Sequence, residues 1–185
     1  MRIIGGKLRG RALMTPQSLA IRPTRARIRE NIFNILAARF NGSFAGKRVL
    51  DLFAGTGAYG LEALSRGAQA AVFVETAVAA RGLLRHNIEN LGLCGAARIL
   101  RRDAGNLGPA GAAAPFHLVF ADPPYGQELG EKAFISACEG GWLHNNAILV
   151  LEESKEAQIN LPACFVQRDE RLYGVSLVRF YTILL

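Results

Sequence analysis

Two short stretches carry side chains whose type and spacing could do chemistry. The first, at 51–60, reads DLFAGTGAYG and sets Gly55, Gly57 and Gly60 in the spacing G-x-G-x-x-G. Gly55 and Gly57 let a backbone turn sharply and approach a ligand with no Cβ in the way. That is the spacing of a dinucleotide-binding turn, and Glu75 follows the first glycine by 20 positions, where a ribose-binding acid would stand. Asp51 argues for a different ligand. A dinucleotide turn rests a pyrophosphate on helix-terminal amides, whereas a carboxylate four residues ahead of Gly55 repels pyrophosphate and suits a cation. Glu75 could accept from two vicinal ribose hydroxyls with either ligand, and Asp103 is placed to meet an adenine amino group.

The second stretch is Asp122-Pro123-Pro124-Tyr125. Two successive prolines fix φ and remove two backbone donors, leaving carbonyls that no sheet ladder pairs. Those carbonyls and the Asp122 carboxylate become acceptors, with the flat ring of Tyr125 beside them. An exocyclic amine on a planar base matches this set. Its two N–H groups need acceptors, and holding both favours a more pyramidal nitrogen whose lone pair is free to attack. Stacking on Tyr125 would contribute ~1–3 kcal/mol. The plainer alternatives are a rigid strand-end turn with an exposed tyrosine, and acids that only cap helices.

These stretches need elements to position them. Residues 1–14 alternate weakly around Gly5-Gly6 and Gly10 and predict a short hairpin, and 16–23 read as a loop. Over 24–40, Ile28, Ile32, Ile35, Leu36 and Phe40 recur at helical spacing behind Thr24 as N-cap. Arg25 and Arg29 fall in the same arc as the apolar stripe, so they either snorkel past the core edge or overhang a cleft that holds an anionic ligand. Strands are expected at 48–53, 70–74, 96–100, 117–121 and 147–151, the first and fourth of the continuous apolar kind that goes with both faces being covered. Helices are expected at 59–66, 78–91 and 128–139, a weak helix or loop at 104–115, and a hairpin from 163–171 and 175–184. The sum is an α/β open sheet, mostly parallel with an antiparallel C-terminal hairpin. Asp51–Gly57, Glu75, Asp103 and Asp122–Tyr125 all follow strands one to four, so they should line one crevice.

Charge is distributed unevenly. Residues 1–40 hold nine Lys or Arg and one acid, a net +8, while the other 145 sum to −1. All the excess positive charge therefore sits in an N-terminal arm, the footprint of a polyanion partner such as nucleic acid. The arm is taken as 1–42 and the catalytic domain as 43–185. No run is long enough to cross a membrane, and MRIIGGKLRG lacks the apolar segment of a secretory signal. Cys94, Cys138 and Cys164, odd in number and far apart, fit reduced thiols in a cytoplasmic protein rather than disulfides or a metal site.

D-L-F-A-G-T-G followed by Glu75, Asp103 and D-P-P-Y resembles S-adenosylmethionine-dependent methyltransferases that act on nucleobase amines. MRIIGGKLRGR, IRPTRARIRENIFNIL and DLFAGTGAYGLEALSRGA, with GWL at Gly141–Leu143 and YG at Tyr173-Gly174, resemble the bacterial 16S rRNA guanine-N2 methyltransferase D family over essentially the whole chain. The resemblance implies a Rossmann-like methyltransferase fold with a small hairpin-and-helix extension. It implies S-adenosylmethionine as cofactor, no metal, and methylation of a guanine N2, guanine 966, by a monomer acting on 16S rRNA or the assembling small subunit. Cofactor contacts would fall on Asp51, Phe53, Gly55, Gly57, Glu75, Asp103 and Ala104, with Asp122, Pro123, Pro124 and Tyr125 holding the base. Arg9, Arg11, Arg22, Arg25 and Arg29 would meet RNA phosphates. One departure is that Thr76 and Ala77 follow Glu75, where the family often has a second acid. Other readings are a DNA adenine-N6 methyltransferase, for whose recognition domain the chain has no room, a nicotinamide dehydrogenase, and a non-catalytic RNA-binding module.

Overall fold

The computed structural model describes residues 1–16, 23–112 and 115–185, with side chains in the first helix from Ala26 onward. The strands are β1 (Arg48–Asp51), β2 (Ala70–Val74), β3 (Ala97–Leu100), β4 (Phe116–Ala121), β5 (Leu143–Ser154), β6 (Phe165–Tyr173) and β7 (Ser176–Ile183). The helices are α1 (Pro23–Arg39), α2 (Ala58–Ser65), α3 (Val78–Asn90) and α4 (Leu129–Glu139), with one 3₁₀ turn at Ala104–Asn106. All seven strands form one sheet in the order β3-β2-β1-β4-β5-β7-β6. The first five are parallel, and β7 runs antiparallel between β5 and β6. This is the Rossmann-like arrangement expected.

Burial on both faces explains the apolar strands. One face carries α1, α2 and α3, whose Ile28, Ile32, Phe33, Leu61 and Leu84 pack with Val49, Phe73, Phe120 and Phe180. The other carries α4, whose Ala133, Phe134 and Ala137 pack with Leu50, Val119, Leu149 and Tyr181. Gly60 lets α2 lie close on the sheet, since a Cβ there would stand 2.3 Å from the Phe73 ring. The strand expected at 147–151 is longer at both ends. It starts at Leu143, bulges opposite Phe116–Leu118 with Asn146 at φ 62°, and continues through Glu152 and Glu153.

The N-terminal residues form the expected hairpin, closed by an Arg2–Ala12 bridge and by Gly10 N–H to Ile3 O at 2.9 Å. The hairpin is bound into the body rather than hanging from it. Ile3 and Leu13 join the same apolar cluster as α1 and α2, so packing is continuous across position 42. Glu62 of α2, with no exposed surface, accepts from Ile4 N and Gly5 N at 2.8 Å each and from Arg66 Nε at 2.8 Å. Ser65 adds bonds to Gly5 O and Leu8 N. A Glu62→Gln variant keeps the shape but loses the charge behind three hydrogen bonds. It should cost about 1–3 kcal/mol in urea unfolding and speed tryptic cleavage of the hairpin. An unchanged midpoint would mean that the apolar contacts alone hold the hairpin down.

Candidate active site

The strand order reverses between β1 and β4, the position where open α/β sheets bind ligands. Asp51 at the end of β1 pairs with Phe120, two residues before Asp122, so the two motifs emerge side by side. Between them opens a cleft of about 620 Å³. Phe53, Ala54, Gly55 and Thr56 line one wall and Asp122–Tyr125 the other, and Met1, Pro16, Arg29, Tyr59 and Glu152 also face it.

The glycine loop is built by its own acids. Gly55 and Gly57 have φ of 52° and 86°, which other residues adopt only with strain. Gly57 is packed, its absent Cβ 2.4 Å from Leu84, whereas Gly55 has nothing within 4 Å of where a Cβ would be. Glu75 accepts from Gly55 N at 2.9 Å and from Ala77 N at 2.7 Å. Asn87 donates to Thr56 O at 3.0 Å and brackets the backbone of Met14 with two more bonds, tying the end of the hairpin to the loop. Asp51 lies behind the loop, 2 % exposed, and accepts from Gly60 N at 3.0 Å. Asp103 is exposed and caps the 3₁₀ turn through Gly105 N at 2.9 Å, with Ala104 buried beside it. Neither Glu75 nor Asp103 lines the cleft itself; each stands at its strand's carboxyl end, farther along the same edge of the sheet.

Burial pushes the Asp51 carboxyl up to about 7, against the Gly60 hydrogen bond, and the negative charge of Glu75 adds to the rise. The folded state therefore holds a proton that the unfolded chain has already released. The stability tied to this group is present below about pH 4 and is lost as pH rises through about 7. Asp51→Asn keeps an acceptor for Gly60 N and cannot ionise. The urea midpoints at pH 5 and pH 8 should consequently differ less in this variant than in the parent, and an equal difference would remove Asp51 as the source.

The second wall has supports that sequence reasoning missed. Glu152, next along β5 from Leu151, which pairs with Ala121, is 5 % exposed. It accepts from Tyr59 Oη at 2.8 Å and from Tyr125 Oη at 2.9 Å. Because the Tyr125 hydrogen goes to Glu152, Ser176 Oγ at 2.8 Å donates to the Tyr125 oxygen. Glu153 accepts from Gly126 N at 3.0 Å, fixing the turn that follows Tyr125. Burial, then the charge of Glu152 and Asp122, pushes the Tyr59 hydroxyl well up, while burial is the main cause of the rise at Tyr125. Both hydroxyls stay protonated donors at neutral pH. The signal was available: acids at strand ends marked strands one to four, and Glu152-Glu153 follow the same rule on strand five.

The arginines divide. Arg9 and Arg11 are exposed on the hairpin, with Arg11 donating to Asn90 O at 2.7 Å. Arg29 is 3 % exposed and lies at the edge of the cleft. Its guanidinium donates to Arg2 O at 2.6 Å and lies 3.8 Å from Glu62, so it braces the hairpin instead of reaching into solvent. Arg22 lies outside the described residues, as does the side chain of Arg25.

The donor set suits a cationic nucleoside. Gly55 leaves room for close approach, and acids stand at the ends of β1, β2 and β4 and beyond β3. Among the described residues no group of three or more His, Cys, Asp or Glu side chains is arranged to hold a metal, and no helix is long and apolar enough to cross a membrane.

The chain is 37% identical over 182 residues to ribosomal RNA small subunit methyltransferase D of Escherichia coli K12, covering 98% of this chain and 89% of that one. It is 33% identical to the protein of the same name from Haemophilus influenzae, covering 98% and 93%. A solved structure of a candidate methyltransferase from Escherichia coli superposes with a TM-score of 0.85 at 35% identity, over 100% of this chain and 98% of that one. The fold is thus that of the S-adenosylmethionine-dependent methyltransferases. The family model described as Conserved hypothetical protein 95 matches residues 1–182, and the chain belongs to that family.

Proposed function

We propose that the protein transfers a methyl group from S-adenosylmethionine to the N2 amine of a guanine in 16S rRNA, guanine 966. The observation that carries this reading is the single cleft holding the glycine loop opposite the D-P-P-Y turn at the sheet's switch point. The names of its relatives from Escherichia coli and Haemophilus influenzae support ribosomal RNA as the substrate. So does the net +8 of residues 1–40.

When bound, S-adenosylmethionine supplies a methyl group already activated by its sulfonium. The chain supplies alignment and a site poor in water. Glu75 would accept from the ribose hydroxyls and Asp103 from the adenine amine, with Asp51, Phe53, Gly55, Gly57 and Ala104 shaping the seat. Asp122 and the Pro123 carbonyl would accept the two hydrogens of the guanine amine, and Tyr125 would stack on the base. The target guanine must leave its stack to enter. Once methylated, the nitrogen loses its proton to Asp122 or to water. Arg9 and Arg11, with Arg22 and Arg25, would hold phosphates and set affinity rather than sequence. The protein would act as a monomer in the cytoplasm on an assembling small subunit.

The test uses cofactor labelled in its methyl group, with small ribosomal subunits from a strain lacking the protein. Label at guanine N2, mapped to guanine 966, is the expected result. Incorporation only into DNA, or into another base, would overturn the reading.

A further inference from the structure

Beside the cleft, the β6–β7 hairpin ends in a tip that exposes two apolar side chains. Tyr173 pairs with Ser176, leaving a two-residue turn of Gly174, at φ 64°, and Val175. Glycine at the first of two turn positions takes up the positive φ, and the second position accepts an ordinary residue, so the turn itself does not dictate the side chain at 175. Val175 is 69% exposed and Leu172, at the tip's other side, 61%. Two apolar side chains left exposed at one hairpin tip point to a surface with a use.

The surroundings say what that use is. Ser176, next to Val175, bonds Tyr125 Oη at 2.8 Å, so the tip is continuous with the wall of the cleft that carries D-P-P-Y. Lys155 N–H donates to Val175 O at 2.9 Å, which sets an exposed lysine on one side of the tip. On the other, the exposed Arg27 and the half-buried Asn31 of α1 face Tyr173 and Gly174 across a groove of about 260 Å³. An apolar point flanked by cations at the mouth of a base-binding cleft matches a polyanion whose stack must open.

We infer that Val175 and Leu172 form a wedge that enters the RNA stack as the target nucleotide leaves it, with Arg27 and Lys155 on the flanking phosphates. Removing a base from its stack leaves an apolar gap and costs unstacking energy, and small apolar side chains fill such gaps in kinked nucleic acids. The inference rests on the reading of the cleft as a guanine-methylating site.

The test compares the parent, a Leu172→Ser/Val175→Ser variant and a Leu172→Ser/Val175→Leu variant on unmethylated small subunits at saturating cofactor. In the serine double variant kcat should fall about tenfold or more, with a smaller change in KM and an unchanged thermal midpoint. Restoring one apolar side chain in Leu172→Ser/Val175→Leu should recover most of kcat. Arg27→Ala should raise KM and lower the salt dependence of binding by about one counterion, with kcat kept. A serine double variant with parental kcat, or a loss that leucine does not restore, overturns the wedge while leaving guanine methylation intact. A parent protein that leaves the subunits unmethylated overturns both.

Discussion

Replacing Asp122 by alanine is expected to lower kcat for methyl transfer by about 10²–10³-fold, the range for removing a polar group aimed at developing charge. Asp122 follows β4 directly and lines the cleft opposite the glycine loop. The attacking amine gains positive charge as its lone pair is committed, and a carboxylate that accepts one of its hydrogens is favoured most when that charge is greatest. The interaction therefore grows toward the transition state, so kcat and kcat/KM should fall together. Asp122→Asn keeps an acceptor oxygen and loses the charge, and should fall between parent and Asp122→Ala. Equilibrium binding of the cofactor is the control. The glycine loop takes its hydrogen bonds from Glu75 and Asn87, not from the second wall, so cofactor affinity should stay within about threefold of the parent. If Asp122→Ala loses cofactor binding and keeps kcat at saturation, the acid serves the cofactor seat and the proposed role for it fails.

How much of this was legible in the sequence follows from which physical rule governs each element. Continuous apolar runs marked β1, β2 and β4 to within two residues, because burial on both faces leaves no other pattern, whereas β3 is an edge strand with Arg98 exposed. The same rule fell short at β5. Its first turn of sequence, His144-Asn145-Asn146, is polar and exposed where the strand bulges, and its last residues are acids. Those acids are buried only because Tyr59 of α2 converges on them with Tyr125 and the Gly126 amide of the turn after β4. No local pattern encodes such a convergence. Arg29 shows the same limit. Its helical position placed it on the apolar face, but the sequence left open whether it snorkelled or overhung, and that was decided by Glu62 and the Arg2 carbonyl, each distant along the chain. The basic arm was likewise legible as charge, while its docking through Glu62, Ser65 and Asn87 was not, since each partner reads as an ordinary helix residue.

The convergence on Glu152 leads to the second large effect. Truncation to alanine strips two tyrosine hydroxyls of a charged acceptor in a site where water has little access, since Glu152 is 5 % exposed. Each such bond is worth about 1.5–3 kcal/mol, and the two share one carboxylate, so Glu152→Ala should cost about 2–4 kcal/mol in urea unfolding. Activity should fall further than folding explains. With its hydroxyl held only by Ser176, the Tyr125 ring gains freedom to leave the plane of an incoming base, and loosened positioning of this kind costs about 10²-fold. A double-mutant cycle separates this from simple destabilisation. Tyr125→Phe removes the same bond from the other end but keeps the ring, and combined with Glu152→Gln it should cost about 1–2 kcal/mol less in activation free energy than the two singles summed. The matching cycle with Tyr59→Phe should show coupling in stability and little in kcat, because the Tyr59 ring stacks on Phe120 at 4.9 Å and is anchored without its hydroxyl. Coupling of equal size in kcat for both tyrosines would mean that Glu152 acts on the cleft by its charge, and additive singles at Tyr125 would show that the bond positions nothing.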